Sequence, residues 1–150
     1  MMGNTGNQVL LVTEIQARTG EGKYMVLAKL TLTADGVILQ VLGGEKPHLG
    51  AVAFATPHPS LADPDRLSAS TIVIPRLAHK DDRVAKPLAE WLATSLNTPA
   101  LAVVGLHVAK ASREDIEKLV MNAWDAAREV LARCEPPSSK AGPVLPDFDG

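Results

Sequence analysis

Apolar and polar side chains alternate along the first third of the chain, as they do in strands that bury one face. The alternation predicts strands over residues 8–18, 23–33 and 37–42. A glycine-rich turn follows the first strand, and Asp35-Gly36 after the second supplies the positive φ that a tight hairpin turn requires. We therefore expect an antiparallel meander. Its third strand is apolar on both faces and is predicted to lie near the sheet centre.

Strand patterns return further along the chain, separated by breaks. Residues 50–55 and 70–74 are predicted strands, and residues 100–108 form the most apolar run, which is typical of a central strand. Residues 56–69 contain three prolines, so this stretch is predicted to be an irregular loop.

Two segments show helical spacing of apolar residues. The first is predicted over residues 81–97, where Pro87 is expected to kink the helix or delay its start. The second is predicted to begin at Ser112, a favourable N-cap, with Glu114 and Asp115 at the positive end of the helix dipole. The residues expected to form its buried stripe are Ile116, Leu119, Val120, Ala123, Ala127, Val130 and Leu131.

This order of elements predicts an α/β protein of the α+β two-layer sandwich type. We expect a mixed, mostly antiparallel sheet of about six strands with two helices on one face. The other face needs cover, and a homodimer would provide it. Residues 8–134 are expected to form one domain, flanked by a disordered N-terminus (1–7) and a proline-rich mobile tail (135–150).

Composition narrows the classes of function. The net charge of −2 and an aromatic content of 3% argue against a nucleic-acid-binding surface. The single cysteine excludes an internal disulfide and a cysteine-based zinc site. There is no signal-peptide pattern and no apolar run approaching ~18 residues, so we expect a cytoplasmic protein without a membrane span. With so few aromatic residues, the core is expected to be built from Val, Leu, Ile and Ala.

Segment 43–50 is the most unusual part of the sequence, because adjacent glycines follow a predicted buried strand. Such glycines let the backbone turn sharply or approach a ligand closely, and a lysine and a histidine beside them can meet an anion. The glycines can equally serve only a turn between strands. The candidate cofactor-binding residues of this segment are Gly43, Gly44, Glu45, Lys46, His48 and Gly50.

A second group of candidates, His79, Lys80, Asp81 and Asp82, lies where the first helix is predicted to begin. A helix N-terminus beside a lysine suits a phosphate group. The simpler interpretation makes one aspartate the N-cap of the helix.

The third candidate, His107, lies at the end of the predicted central strand. Ligands often bind at strand ends in α/β folds, although a lone histidine there can also be a hydrogen-bonded core residue. His48, His79 and His107 together are candidate ligands of a divalent metal, which would suit a small metal-dependent hydrolase or lyase. The sequence contains none of the P-loop, GxGxxG, GxSxG and HExxH motifs that would name an enzyme class.

These segments together resemble the LpdD-like family, the small D subunits of gallate and hydroxyarylic acid decarboxylase systems, described as prenylated-flavin chaperones. The resemblance runs from about Tyr24 to Asn122 and rests on the order and spacing of three motifs. These are GGEKPHLGAVA from Gly43, HKDD from His79, and GLHV from Gly105, which is followed by SREDI from Ser112.

The resemblance implies an accessory protein that binds prenylated FMN, or FMN, and does not itself decarboxylate. Its implied partners are a UbiD-type decarboxylase, which it supplies with cofactor or helps to mature, and a flavin prenyltransferase. A divalent metal could bridge the flavin phosphate to the protein. Few aromatic residues are available to stack on the flavin, so apolar contacts are expected from Ala51, Val52, Ala53 and Leu106. The alternative is a non-catalytic structural subunit of a decarboxylase complex.

Overall fold

Six strands and two helices make up the computed structural model, which describes residues 10–76 and 80–134. In chain order they are β1 (Thr13–Thr19), β2 (Val26–Leu32), β3 (Val37–Gly44), β4 (Ala51–Pro59), β5 (Leu67–Pro75), α1 (Asp82–Leu96), β6 (Ala100–His107) and α2 (Arg113–Arg133). A single 3-10 turn, Gly22–Tyr24, precedes β2.

The strands form one sheet in the order β1-β2-β3-β6-β4-β5. The β3–β6 pair is parallel, and the other four pairs are antiparallel. Helix α1 packs on β4, β5 and β6, whereas α2 packs on β1, β2 and β3. The predicted fold class is confirmed: a mixed, mostly antiparallel sheet with two helices, in which β6 is central.

The core lies between the helices and one face of the sheet, and alanine, valine and leucine fill it. The predicted alternation in β2 is confirmed, because Val26, Ala28 and Leu30 are fully buried. Alanines of the strands and of both helices take core positions that larger aromatic residues, which are few in this chain, would otherwise fill. The expected contribution of isoleucine is confined to the edge of the core. Ile15 is partly buried and packs against it, and none of the five isoleucines of the sequence is fully buried.

The predicted loop over residues 56–69 is wrong for most of its length. Strand β4 continues to Pro59 and β5 begins at Leu67, so only residues 60–66 connect them. Prolines are tolerated here because β4 pairs with β6 only through Ala55. Beyond that point β4 has β5 as its one neighbour, and a missing N–H on the free side costs no hydrogen bond.

Three predicted boundaries also shift. Residues 10–12 are not part of β1, and β3 runs on to Gly44 instead of ending at residue 42. Helix α1 begins at Asp82 with Pro87 inside it, so the predicted later start is wrong. Apolar burial of Val84 and Leu88 on either side of the proline holds this helix to the sheet.

The predicted disordered N-terminus (1–7) and proline-rich tail (135–150) lie outside the described residues. Within residues 10–76 and 80–134, neither helix is long and apolar enough to cross a membrane.

The start of α2 is anchored to the turn before β2. Ser112 caps the helix as predicted, and its side chain accepts a hydrogen bond from the Asp115 amide at 3.1 Å. The Asp115 carboxylate in turn accepts from the Ser112 amide and from the hydroxyl of Tyr24. The Tyr24 carbonyl accepts from Asn122, which lies about two turns further along the helix. These bonds fix the first turns of α2 against the turn that precedes β2.

The Tyr24 hydroxyl, followed by the Ser112 amide, lowers the pKa of Asp115 from its ordinary 3.8 to about 2. Because the pKa falls on folding, the contribution of this carboxylate to stability is complete above about pH 4. It is lost as the pH falls through about 2. We expect Tyr24→Phe to raise the pKa of Asp115 toward 3.8 in a carboxyl NMR titration. Lys23→Ala, which removes only a weak charge interaction, is the control and should raise it less. An unchanged pKa in Tyr24→Phe would refute this account.

Candidate functional site

The structure brings three of the predicted segments together at one end of the sheet. Strand β3 ends at Gly44 beside the end of β6, and the amides of Glu45 and Lys46 both donate to the carbonyl of His107, at 2.8 and 3.3 Å. The first turn of α1 lies against the same place, because Asp81 contacts both β6 and the segment after β3.

Asp81 is the one buried charged or polar residue among those described. One carboxylate oxygen lies 3.0 Å from Nε2 of His48, and the other accepts a hydrogen bond of 3.0 Å from the amide of Leu106. Asp81 occupies the N-cap position of α1, as the simpler interpretation has it, but its side chain makes no capping hydrogen bond, so capping does not account for its burial. Asp81 instead ties the helix start to β6 and to the loop after β3.

His48 lies behind the site and not at its surface. Its Nδ1 lies 3.1 Å from the carbonyl oxygen of Lys46, while Nε2 faces Asp81. Both neighbours are hydrogen-bond acceptors, so an N–H on either ring nitrogen has an acceptor within reach. The ring also stands edge-to-face with His107, with centroids 6.0 Å apart. His48 therefore holds the loop in place.

Glycine is required in this region for close packing of backbone. A Cβ at Gly105 would overlap the carbonyl oxygen of His48, and a Cβ at Gly50 would overlap the carboxylate of Asp81. Neither residue has the positive φ that disfavours other side chains, so the constraint is steric. The contact of the 45–50 segment with β6 depends on the absence of these two side chains.

A cavity of about 380 Å³ opens beside this cluster, between the N-terminal turns of α1 and α2. Its volume falls within the ~300–1,000 Å³ typical of small-molecule sites, and its wall is mainly apolar. The lining residues are Lys80, Asp81, Arg83, Val84, Leu106, His107, Val108, Ala111, Ile116, Leu119 and Val120. Ile116, predicted to be buried, is half exposed and belongs to this wall.

The polar side of the cavity is cationic. Lys80 and Arg83 are exposed at the start of α1, and neither forms an ion pair with another residue that the structure describes. His107 is exposed beside them. The carboxylate of Asp81, the acidic group in the lining, is already occupied by His48 and the Leu106 amide. Two cations at a helix N-terminus form an arrangement suited to an anionic group.

Of the predicted site residues, Lys80, Asp81 and His107 line the cavity. The backbone behind the cavity wall is held in place by His48 and by close packing at Gly43, Gly44 and Gly50. The Glu45 side chain accepts from the amide of Ala109, Lys46 is exposed, and Asp82 makes no hydrogen bond or ion pair with another described side chain; none of the three is in the lining. His79 lies outside the described residues.

The expected apolar contacts are partly misplaced. Leu106 lines the cavity, but Ala51 and Ala53 are buried in the core and Val52 lies on the opposite face of the sheet. Sequence reasoning also missed Arg83 and the wall supplied by α2. Arg83 could have been found from its spacing, since residues three apart at a helix start lie on one side.

A metal centre has little support in this geometry. No group of three or more His, Cys, Asp or Glu side chains placed to hold a metal ion occurs in the part of the chain described. Because His79 falls in the gap between residues 76 and 80, the metal site at His48, His79 and His107 stays a prediction.

Comparison with known proteins adds two findings. Residues 20–135 match the model of the family described as the prenylated flavin chaperone LpdD-like domain. The structure also resembles one reported as "Crystal Structure of a Novel Chaperone Complex for Yeast 20S Proteasome Assembly", with a TM-score of 0.53 and 21% identity. That similarity covers 83% of this chain and 95% of the other, and at this identity it concerns the fold alone. No curated protein matches the sequence.

Proposed function

The chain belongs to the family of prenylated flavin chaperone LpdD-like domains, and from this premise we propose that it binds prenylated FMN in the cavity between the starts of α1 and α2. The observation that carries the proposal is an apolar wall with two cations at its rim, Lys80 and Arg83, which form no ion pair within residues 10–76 and 80–134. A molecule with an apolar ring system and a phosphate matches both parts.

The phosphate is assigned to the start of α1. Lys80 and Arg83 supply positive charge there, and the dipole of a 15-residue helix adds to it. Asp81 does not oppose the anion strongly, because His48 pairs with its carboxylate. Asp82 also lies in the first turn of α1 and forms no ion pair with another described residue. Its negative charge is therefore expected to oppose the binding of the same phosphate.

The ring system and its prenyl group are assigned to the apolar wall. Leu106 and Val108 of the β6 end face Leu119 and Val120 of α2 across the cavity, and Ile116 stands at its mouth. Aliphatic residues provide contact area without the stacking that aromatic rings would add. We expect such a site to hold the cofactor and also to release it, as delivery requires.

The biological role follows from this binding. The protein would receive prenylated FMN from a flavin prenyltransferase and pass it to a UbiD-type decarboxylase in the cytoplasm, without itself catalysing decarboxylation. We also propose that it works as a homodimer.

The binding proposal is tested by producing the chain together with a flavin prenyltransferase and examining it by native mass spectrometry and absorption. We expect one prenylated FMN per chain. The double variant Lys80→Ala/Arg83→Ala should bind it at least about 30-fold more weakly, because two charge-assisted contacts of about 1 kcal/mol or more each are lost. The melting temperature should change little, since both residues are exposed.

Lys86→Ala is the matched control. Lys86 is a cation on the same helix, but it pairs with Glu90 at 2.6 Å and does not line the cavity. Equal binding by the double variant and the control would refute the phosphate assignment, and a wild-type protein without flavin would refute the proposal. Mixing loaded protein with a cofactor-free UbiD-type enzyme tests delivery, since decarboxylase activity should then appear.

A further inference from the structure

The sheet face away from the helices carries a continuous apolar surface. The pairing register sets its side chains in rows across the strands. One row runs Ile38–Leu101–Phe54–Ile72 and the next Gln40–Val103–Val52–Ile74, from β3 through β6 and β4 to β5. We define these eight residues as the open face.

Large β-branched side chains are unusually exposed on this surface. Ile72 and Ile74 are 68% and 64% accessible, and Phe54 is 44% accessible. The helix side of the same strands is filled mainly by alanine. Exposed apolar patches of this extent are rare on monomers and mark interaction sites.

We propose that the open face is the interface of a homodimer, in which the sheets of two copies pack face to face. The inference rests on the proposed self-association and does not depend on flavin binding. The four strands that carry the open face span about 19 Å across and about 23 Å along, a projected area near 440 Å². The accessible area of such a corrugated surface is larger than its projection. The open face therefore provides the central part of the ~800 Å² per partner that a standard stable interface buries.

The distribution of charge favours a second copy over a different partner. A two-fold axis sets the same surface against itself, so unpaired charges near its centre would meet like charges. The open face carries none, and its one polar side chain, Gln40, is an amide that can both donate and accept. Charges on this side of the sheet lie on β1 and β2. Lys29 and Glu14 pair at 3.0 Å, and Arg18 lies on the edge strand β1, away from the centre of the open face.

Sedimentation equilibrium of the full chain without cofactor tests the inference. At about 50 µM, above the micromolar dissociation constants at the weak end for interfaces of this size, we expect a mass twice 15.9 kDa. Phe54→Glu/Ile72→Glu should raise the dimer dissociation constant at least about 100-fold, because four carboxylates would be buried without partners. Both positions are exposed in a single chain, so circular dichroism should show the fold retained.

Leu61→Glu is the control, since Leu61 is fully exposed in the β4–β5 connection and lies off the open face. It should remain dimeric. A monomeric wild-type chain would overturn the inference and leave the face to a partner protein. A double variant as dimeric as the control would place the dimer contact elsewhere. Neither result would bear on flavin binding.

Discussion

Replacing Asp81 by alanine is expected to lower the free energy of unfolding by about 3 kcal/mol. Two groups lose a partner at once, Nε2 of His48 and the partly buried amide of Leu106, and the missing carboxylate leaves a cavity. For a chain of this length, such a loss lowers the melting temperature by about 10 °C. Chemical denaturation with a fluorescence or circular dichroism readout measures it.

Asp82→Ala is the matched control, because Asp82 is the next residue and makes no comparable contacts. Its loss should cost less than about 1 kcal/mol, the value of an acidic residue near a helix N-terminus. The stability of Asp81→Asn should fall between those of the two variants, because the side-chain amide oxygen can still accept from Leu106 but carries no negative charge. If Asp81→Ala and Asp82→Ala proved equally stable, Asp81 would not link the three segments.

Gly105→Ala is the second substitution with a large expected effect. The added methyl overlaps the backbone carbonyl of His48, which cannot move without shifting the 45–50 segment. We expect a loss of about 3 kcal/mol, at the upper end for overpacking a filled site. The flavin binding proposed above should weaken as well, because a shift at Gly105 would move the neighbouring Leu106 and His107, which line the cavity.

Gly22→Ala separates this steric effect from the general cost of replacing a glycine. Gly22 has a φ of +57°, but no atom lies within 4 Å of the position its Cβ would take. Alanine there should cost about 1 kcal/mol in backbone strain and leave flavin binding unchanged. If Gly105→Ala also cost only about 1 kcal/mol and left flavin binding unchanged, the close-packing account would be wrong.

The elements that could be predicted from sequence are those with a strong local signal. The alternation in β2 and the cap at Ser112 each depend on neighbouring residues, and both are confirmed. The two strands of the β4–β5 hairpin were predicted, but their extension through residues 56–59 and 67–69 was not, because prolines normally end strands. Here they are tolerated because β4 has lost its second neighbour, a fact of topology that no local window contains.

The candidate site also divides into residues that the local sequence predicts and contacts that it does not. Lys80 and His107 could be found because unusual residues at a helix start and a strand end attract attention. The cavity wall from α2 could not, since Ile116 and Val120 fit the stripe of an ordinary buried helix. His48 and Asp81 were expected to contact a ligand. Their pairing with each other depends on a contact between residues 33 apart in the sequence, which spacing does not encode.

Trp91 of α1 and Trp124 of α2 meet edge-to-face with ring centroids 5.6 Å apart, and they are the two tryptophans of the sequence. At 1.5 Å per helical residue, they lie roughly 10 Å and 6 Å along their helices from Val84 and Val120 of the cavity wall. Tryptophan emission overlaps flavin absorption. The chain therefore contains its own energy-transfer donor for a flavin, so the binding proposed for this cavity can be followed in real time without a label.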